Sequence, residues 1–244
     1  MEGGVFTEQA LQMDKEPIID ISDVKKVYKV GTVEIHALRG VDLTVSPGEL
    51  CCIVGRSGSG KSTLLNLLAG LEPATSGKLS VAGCRLDRMN EAQLIVFRQE
   101  HVGFVFQSFN LMPYYTALEN VAFPLSFRGV PNAKRLQRAK EVLTAVGLET
   151  HLKHKPSQMS GGQQQRVGIA RALVANPDIV FADEPTGNLD STTSDDVMRM
   201  ITEIIRREGK TLIMVTHDPN VAAYADTVIS LLDGHIVDIK RQNQ

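Results

Sequence analysis

The chain has little cysteine: Cys51, Cys52 and Cys84 are an odd set of three without metal-ligand spacing. They give no disulfide framework and no zinc site, so buried thiols in a reducing cytosol are expected. Cys51 and Cys52 fall inside an apolar run and read as core packing. Also missing is any run approaching the ~18 apolar residues of a membrane span; the apolar stretches are strand-sized. Neither charge is in excess, since 26 Lys and Arg stand against 28 Asp and Glu. That balance lacks the basic footprint of a nucleic-acid binder. No repeat or low-complexity segment is present, Gln163-Gln164-Gln165 falling within an expected helix. The first residues are polar and acidic, without a signal-peptide pattern. We expect a loose tail at 1–16 and a single domain over 17–244.

At 43% hydrophobic and 22% charged residues, the chain can bury an ordinary globular core. Short β-like runs at 18–21, 34–38, 41–45 and 50–54 are separated by Ser22-Asp23, Arg39-Gly40 and Ser46-Pro47-Gly48. A glycine-rich loop then opens a helix at Lys61. A hairpin is expected to turn at Ala82-Gly83, a helix to start at Asn90, and a strand to run over 101–106, ending before Gln107. From 108 to about 160 the pattern turns helical, punctuated by Pro113, Pro124 and Pro131. Beyond Ser160 come a long helix, the apolar strand 179–182, a helix over 194–207, the strand 211–215, and two last strands turning at Asp233-Gly234. Alternating strands and helices predict an α/β fold with a largely parallel sheet, an antiparallel β portion and a helical insertion.

Gly55-Arg56-Ser57-Gly58-Ser59-Gly60-Lys61-Ser62 has the spacing G-x-x-x-x-G-K-S between a strand and a helix, followed by Thr63. Glycines let the backbone curl so that its N–H groups face phosphate oxygens, and the helix start adds its positive end. Lys61 suits the β- and γ-phosphates of a nucleotide, and the Ser62 hydroxyl suits Mg²⁺. Asp183 ends an apolar strand, where a metal-holding carboxylate is needed. Glu184 follows, placed to polarise a water for attack. Ser160 is a good N-cap, and Gly161 and Gly162 behind it make a second anion-binding helix end. One nucleotide cannot readily use two such ends of one protomer, which points to a head-to-tail dimer.

Tyr28, Gly55 through Ser62, Gln107, Ser160-Gly161-Gly162-Gln163, Asp183-Glu184, Asn188-Leu189-Asp190 and His217 stand in one order. In that order the chain resembles the ABC transporter nucleotide-binding domain over about 18–240. The resemblance implies a P-loop (RecA-like) core, ATP and Mg²⁺ as cofactors, and ATP hydrolysis. It implies that Tyr28 stacks on adenine and that Gln107 touches the metal and senses a membrane partner. Ser160, Gly161, Gly162 and Gln163 would meet the ATP of the opposite protomer, Asp190 would close a loop at the dimer interface, and His217 would lie near the γ-phosphate. The signature opens with Met159 where the family usually has Leu, a swap of similar volume. The remaining histidines, His36, His101, His151, His154 and His235, match nothing and are expected to be structural or on the surface.

Phe104 to Leu111, Thr116 to Val121, Ser160 to Val167 and Ala182 to Asp190 are similar to the subgroup of macrolide exporters, lipoprotein-release ATPases, antimicrobial-peptide resistance pumps and a cell-division ATPase. The implied partners are a second copy of the chain and a transmembrane permease, with membrane contact only through the permease, on the cytoplasmic face. An alternative is a regulatory ATPase controlling a cell-wall or division enzyme through a membrane partner. DNA-repair and translation types fit less well, since neither a coiled coil nor a second cassette is present. Residues 108–115, with two tyrosines, a Leu and a Met, are expected to form the partner's groove, the alternative being that they fold back onto the insertion's own core.

Replacing Tyr28 by Ala is expected to weaken nucleotide binding by about 1–3 kcal/mol, the range for base–aromatic stacking, and to affect saturated turnover less. Titration with ATP checks it; unchanged affinity would assign adenine to another residue.

Overall fold

The computed structural model describes residues 16–242. The expected tail lies outside the described residues except for Glu16. The chain opens with a long hairpin, β1 (Ile19–Val30) and β2 (Val33–Val45). β3 (Leu50–Val54) leads through the glycine-rich loop into α1 (Lys61–Leu68). β4 (Ser76–Val81) and β5 (Cys84–Arg85) form a second hairpin, and α2 (Glu91–His101) runs directly into β6 (Val102–Val105). Helices α3 (Ala117–Ala122), α4 (Pro124–Phe127) and α5 (Asn132–Ala145) precede α6 (Gly161–Leu173). The fold closes with β7 (Ile179–Asp183), α7 (Ser191–Arg207), β8 (Thr211–Val215), α8 (Pro219–Ala222), β9 (Thr227–Leu232) and β10 (His235–Arg241).

Two sheets result, β2-β1-β4-β5 and β10-β9-β3-β8-β7-β6. The first is antiparallel throughout. In the second, β9, β3, β8, β7 and β6 are parallel and only β10 runs against its neighbour. The parallel strands read as unbroken apolar runs because both faces are covered. Cys52, Val180 and Met214 pack on one face with α3, α5, α6 and α7. Cys51, Phe181 and Ile213 pack on the other with α1, α2 and the antiparallel sheet. Both β3 cysteines are fully buried, as expected, and burial pushes the Cys52 thiol up to about 12. Among the described residues no helix is long and apolar enough to cross a membrane.

Two expected breaks are not breaks. Ser22-Asp23 and Arg39-Gly40 lie inside the continuous strands β1 and β2, where Asp23 (φ 49°) and Gly40 (φ 93°) sit at a shift of the ladder register. Turn-forming residues mark a β-bulge as readily as a turn, because both place an unpaired residue in the left-handed region. The helix expected from 194 begins three residues earlier, at Ser191, with Asp190 as its cap. Asn90 and Ser160 do cap α2 and α6, each in a reciprocal capping box with the residue three places on.

Residues 108–115 do not line the apolar groove. Leu111 packs against the core, while Tyr114 stands 84% exposed. The groove, about 420 Å³, lies beside them, between α2, β6, α4 and α6, with Ile95, Phe104, Phe123, Phe127 and Arg171 in its walls. Tyr115 makes an edge contact to Phe123 in its wall, with ring centroids 6.0 Å apart. Asn120 is the reason for this course. Its fully buried amide accepts from Met112 N at 2.7 Å and donates to the carbonyls of Met112, Tyr115 and Thr116 at 3.1, 3.1 and 3.0 Å. The backbone is thereby tied to α3 and the tyrosines are turned outward.

Asn120→Ala removes all four bonds and strands the part-buried Met112 N–H, so a loss of about 1–3 kcal/mol is expected. Urea unfolding is the check; an unchanged midpoint would show that solvent replaces the amide.

Candidate active site

Register puts the chemistry at one edge. Ile53 pairs with Val215, Val215 with Asp183, and Val105 with Ala182. The segments leaving β3, β7, β8 and β6 therefore emerge together at the C-terminal edge of the parallel strands, where open α/β sheets bind ligands.

After β3 the chain curls through Gly55, Arg56, Ser57, Gly58, Ser59 and Gly60. Gly60 holds φ 103°, and a Cβ there would lie 2.5 Å from the Ala37 carbonyl oxygen, so only glycine fits. Lys61 is 8% exposed, and its Nζ donates to the carbonyls of Gly55 at 2.9 Å and Arg56 at 3.0 Å, drawn across the loop. Ser59 Oγ is buried within the curl and finds no protein partner among the described residues. The cleft above the loop, about 690 Å³, suits a nucleotide and is bounded by the loop itself, Ser62, Thr63, Ile35, His36, Glu184 and His217.

Asp183 Oδ1 accepts from the Ser62 hydroxyl at 3.3 Å. Burial raises the Asp183 carboxyl above its ordinary range and the Glu184 charge adds to this, while Ser62 and Lys61 oppose it. Glu184 holds a left-handed backbone (φ 47°), with its N–H on the Val215 carbonyl at 2.9 Å. Its carboxylate meets His217 Nδ1 at 2.7 and 2.9 Å. Glu184 is largely buried while His217 is 71% exposed, so the imidazole covers the carboxylate from the solvent side. The Gln107 carboxamide lies against Gly187, whose Cβ, if present, would be 2.8 Å from Gln107 Nε2 and 3.4 Å from a Glu184 oxygen. Asn188 donates to the Gln107 carbonyl at 2.9 Å. Gln107 and Glu184 are thus neighbours.

Ser62, Asp183 and Gln107 offer a hydroxyl, a carboxylate and an amide, a hard oxygen set that fits Mg²⁺. Because Asp183 is half-buried beside Glu184 with its ionised form disfavoured, a divalent cation there would relieve an existing imbalance.

Tyr28 and Ile35 are paired across β1 and β2, so both side chains share a sheet face, and Ile35 lines the cleft. The Tyr28 hydroxyl donates to Glu72 at 2.7 Å, and Lys26 Nζ sits 4.9 Å from the ring centroid. Burial, and then the bond to Glu72, raise the phenol's pKa. Tyr28 itself is absent from the described lining of the cleft, although its hydroxyl interacts with Thr63, which does line it.

Ser160 and Gln163 close their capping box in both directions, Gln163 N to Ser160 Oγ at 3.3 Å and Ser160 N to Gln163 Oε1 at 2.9 Å. Gln163 Nε2 also meets His151 Nε2 at 3.1 Å, a partner that no motif marks. A Cβ on Gly162 would lie 2.5 Å from Thr193 Cγ2, and Thr193 is bound to the cap Asp190 through its N–H at 3.0 Å and its hydroxyl at 2.7 Å. Gly161 faces Leu189 in the same way. Met159, 8% exposed, fills an apolar socket in the core, so it stands in for Leu as expected. Ser160, Gly161, Gly162 and Gln163 are absent from the described lining of the cleft. Sequence reading missed His36, which does line it. No local pattern could have marked His36, since only the fold of β2 over the loop brings it there.

A glycine-rich loop between strand and helix, with carboxylates at the end of a nearby parallel strand, defines a P-loop nucleotide hydrolase. The chain belongs to the ABC transporter family, whose model matches residues 38–187. It is an ATP-binding, ATP-hydrolysing cassette. A solved dimer of the ATP-binding cassette MJ0796, in a post-hydrolysis state bound to ADP and Pi, is 42% identical with a TM-score of 0.85. That match covers 93% of this chain and 99% of the other. The Bacillus subtilis ABC transporter ATP-binding protein YtrE is 45% identical, the match covering 89% of this chain and 96% of YtrE. The macrolide export ATP-binding/permease protein MacB of Syntrophobacter fumaroxidans is 47% identical over 90% of this chain. The chain spans only 31% of that MacB's length.

The raised carboxyl has a consequence for stability. Asp183 favours folding while protonated, below its unfolded value of about 3.9, and that contribution is lost as pH rises through its higher folded value. At neutral pH the ionised side chain therefore opposes folding. Asp183→Asn is expected to leave the nucleotide-free protein as stable as the parent or more so, while turnover falls by about 10²-fold or more. Thermal melts beside ATPase assays test this; a lowered Tm would make Asp183 a structural partner of Ser62 instead.

Proposed function

We propose that residues 17–244 work as one nucleotide-binding domain, with a helical subdomain at about 108–160, in a head-to-tail dimer that powers a separate transmembrane permease. The observation that carries this reading is the make-up of the cleft. It gathers the P-loop, Glu184 and His217, while the capped helix end at Ser160 opens elsewhere. Each protomer then has one half-site lacking a second anion-binding end and one such end to spare. Turning two copies head to tail fills both needs. The solved MJ0796 neighbours are dimers, which supports this arrangement.

Within each site, backbone amides of the loop and Lys61 hold the ATP phosphates, and Tyr28 stacks on adenine beside Ile35. Ser62, Gln107 and Asp183 would hold Mg²⁺, which when bound offsets charge on the phosphate oxygens. Glu184 takes the proton of the attacking water. His217 fixes the Glu184 carboxylate and faces the γ-phosphate. Ser160, Gly161, Gly162 and Gln163 act on the nucleotide of the opposite copy, and Asp190 keeps α7 and the adjoining loop in place at the interface. Closure follows ATP binding, and opening follows hydrolysis.

The apolar groove between α2, β6, α4 and α6 takes a short cytoplasmic helix of the permease. It is walled by Ile95, Phe123 and Phe127, and β6 on its floor runs straight to Gln107. The protein thus sits on the cytoplasmic face of the membrane and touches it only through the permease. Export, or mobilisation of a substrate at the envelope, is the direction supported by similarity to a protein named for macrolide export.

Glu184→Gln preserves the side-chain shape but removes the base, so turnover is expected to drop by about 10²–10⁴-fold with ATP still bound. Size-exclusion chromatography with saturating ATP should then show a stable dimer. A monomer under those conditions overturns the head-to-tail arrangement.

A further inference from the structure

Gln165 is absent from the described lining of the nucleotide cleft, yet it is a fully buried polar side chain on α6. It lies two residues beyond the capping box and is 0% exposed. Its Nε2 donates to the Pro185 carbonyl at 2.5 Å. Its Oε1 is buried with no hydrogen-bond partner among the described residues. Pro185 directly follows Glu184, whose backbone is held in the left-handed region at φ 47°. The same short turn closes on itself through Gly187 N to the Glu184 carbonyl at 3.0 Å.

Stability does not explain this choice of residue. A primary amide buried with its oxygen unmet costs free energy that a leucine of similar volume would not. What the amide provides is direction: one bond from α6 to the residue that directly follows the catalytic base. The two ends of that bond serve different nucleotides. The start of α6 meets the ATP of the opposite copy, whereas Glu184 acts on the ATP in the protomer's own cleft.

We infer that Gln165 is a positioning residue that couples the two ATP sites of the dimer through the body of each protomer. A shift of α6 on engaging the partner's nucleotide is passed by the Gln165–Pro185 bond to Glu184, so one site sets the geometry of the other. The contact between Gly162 and Thr193 joins α6 to α7 nearby but does not reach the base. The inference rests on the head-to-tail reading above.

The test compares the full-length protein with Gln165→Leu and Gln165→Glu in ATPase assays over a range of ATP concentrations, beside thermal melts. For Gln165→Leu the expected result is a Tm equal to or above the parent's, a KM for ATP within about twofold, and kcat lower by about tenfold or more from the misplaced base. The Hill coefficient should fall toward unity. For Gln165→Glu, kcat relative to the parent should rise as pH falls, because only a protonated carboxyl can donate to the Pro185 carbonyl. Unchanged kcat and cooperativity in the Leu variant overturn the coupling, and so does a Tm that falls in step with kcat. Placing Gln165→Leu in the Glu184→Gln background separates the two readings. An ATP-dependent dimer there, with kcat unaltered in the single variant, counts against Gln165 alone. If Glu184→Gln itself stays monomeric, both readings fall.

Discussion

The ladder between β3, β8 and β7 is the interaction on which everything else depends. Parallel strands locked in register bring their ends to one level, and here that level is set by Ile53, Val215 and Asp183. Because β3, β7 and β8 are buried on both faces, a slip by one residue would exchange two packed sets of side chains at once. The register is therefore stiff. That stiffness lets a hydroxyl on α1 and a carboxylate on β7, 121 residues apart in sequence, stand 3.3 Å apart.

The stable frame supports an unfavourable edge. Asp183 is half-buried with its ionised form disfavoured, Glu184 is held with a left-handed backbone, and Ser59 keeps a buried hydroxyl without a protein partner among the described residues. Such features cost a few kcal/mol together and persist only where the surroundings over-determine them. They gather at the place where a phosphate chain and a cation would be received, the groups best able to satisfy them.

The second organising feature is that one helix serves two masters. The N-terminus of α6 is closed by its own capping box, packs through Gly162 on Thr193, and stands outside the nucleotide cleft of its own chain. Further along, Arg171 donates to the Phe109 and Asn110 carbonyls, both left-handed, just after Gln107. Arg171 also borders the apolar groove. A single rigid element thus carries the capped end outside the cleft, reaches the turn after Glu184 through Gln165, and holds the segment joining Gln107 to the groove.

The sequence by itself determined what depends on spacing along the chain. The P-loop could be read because its curl is local: glycines, Lys61 and Ser62 must follow one another between a strand and a helix. Asp183 and Glu184 were legible as the end of an apolar strand, and Ser160 as a cap with Gln163 three residues on. The order of these motifs also carried the family. Tertiary structure alone decided what depends on which strands become neighbours. Whether Ser22-Asp23 made a turn or a bulge was settled by the ladder to β2 and β4, and the outward course of 112–116 by the Asn120 amide. The place of His36 at the cleft, the contact of Gln163 with His151, and the bond from Gln165 to Pro185 join residues from separate elements. Such contacts leave no periodic trace, because the distance between two side chains on different elements is set by packing, not by the number of residues between them.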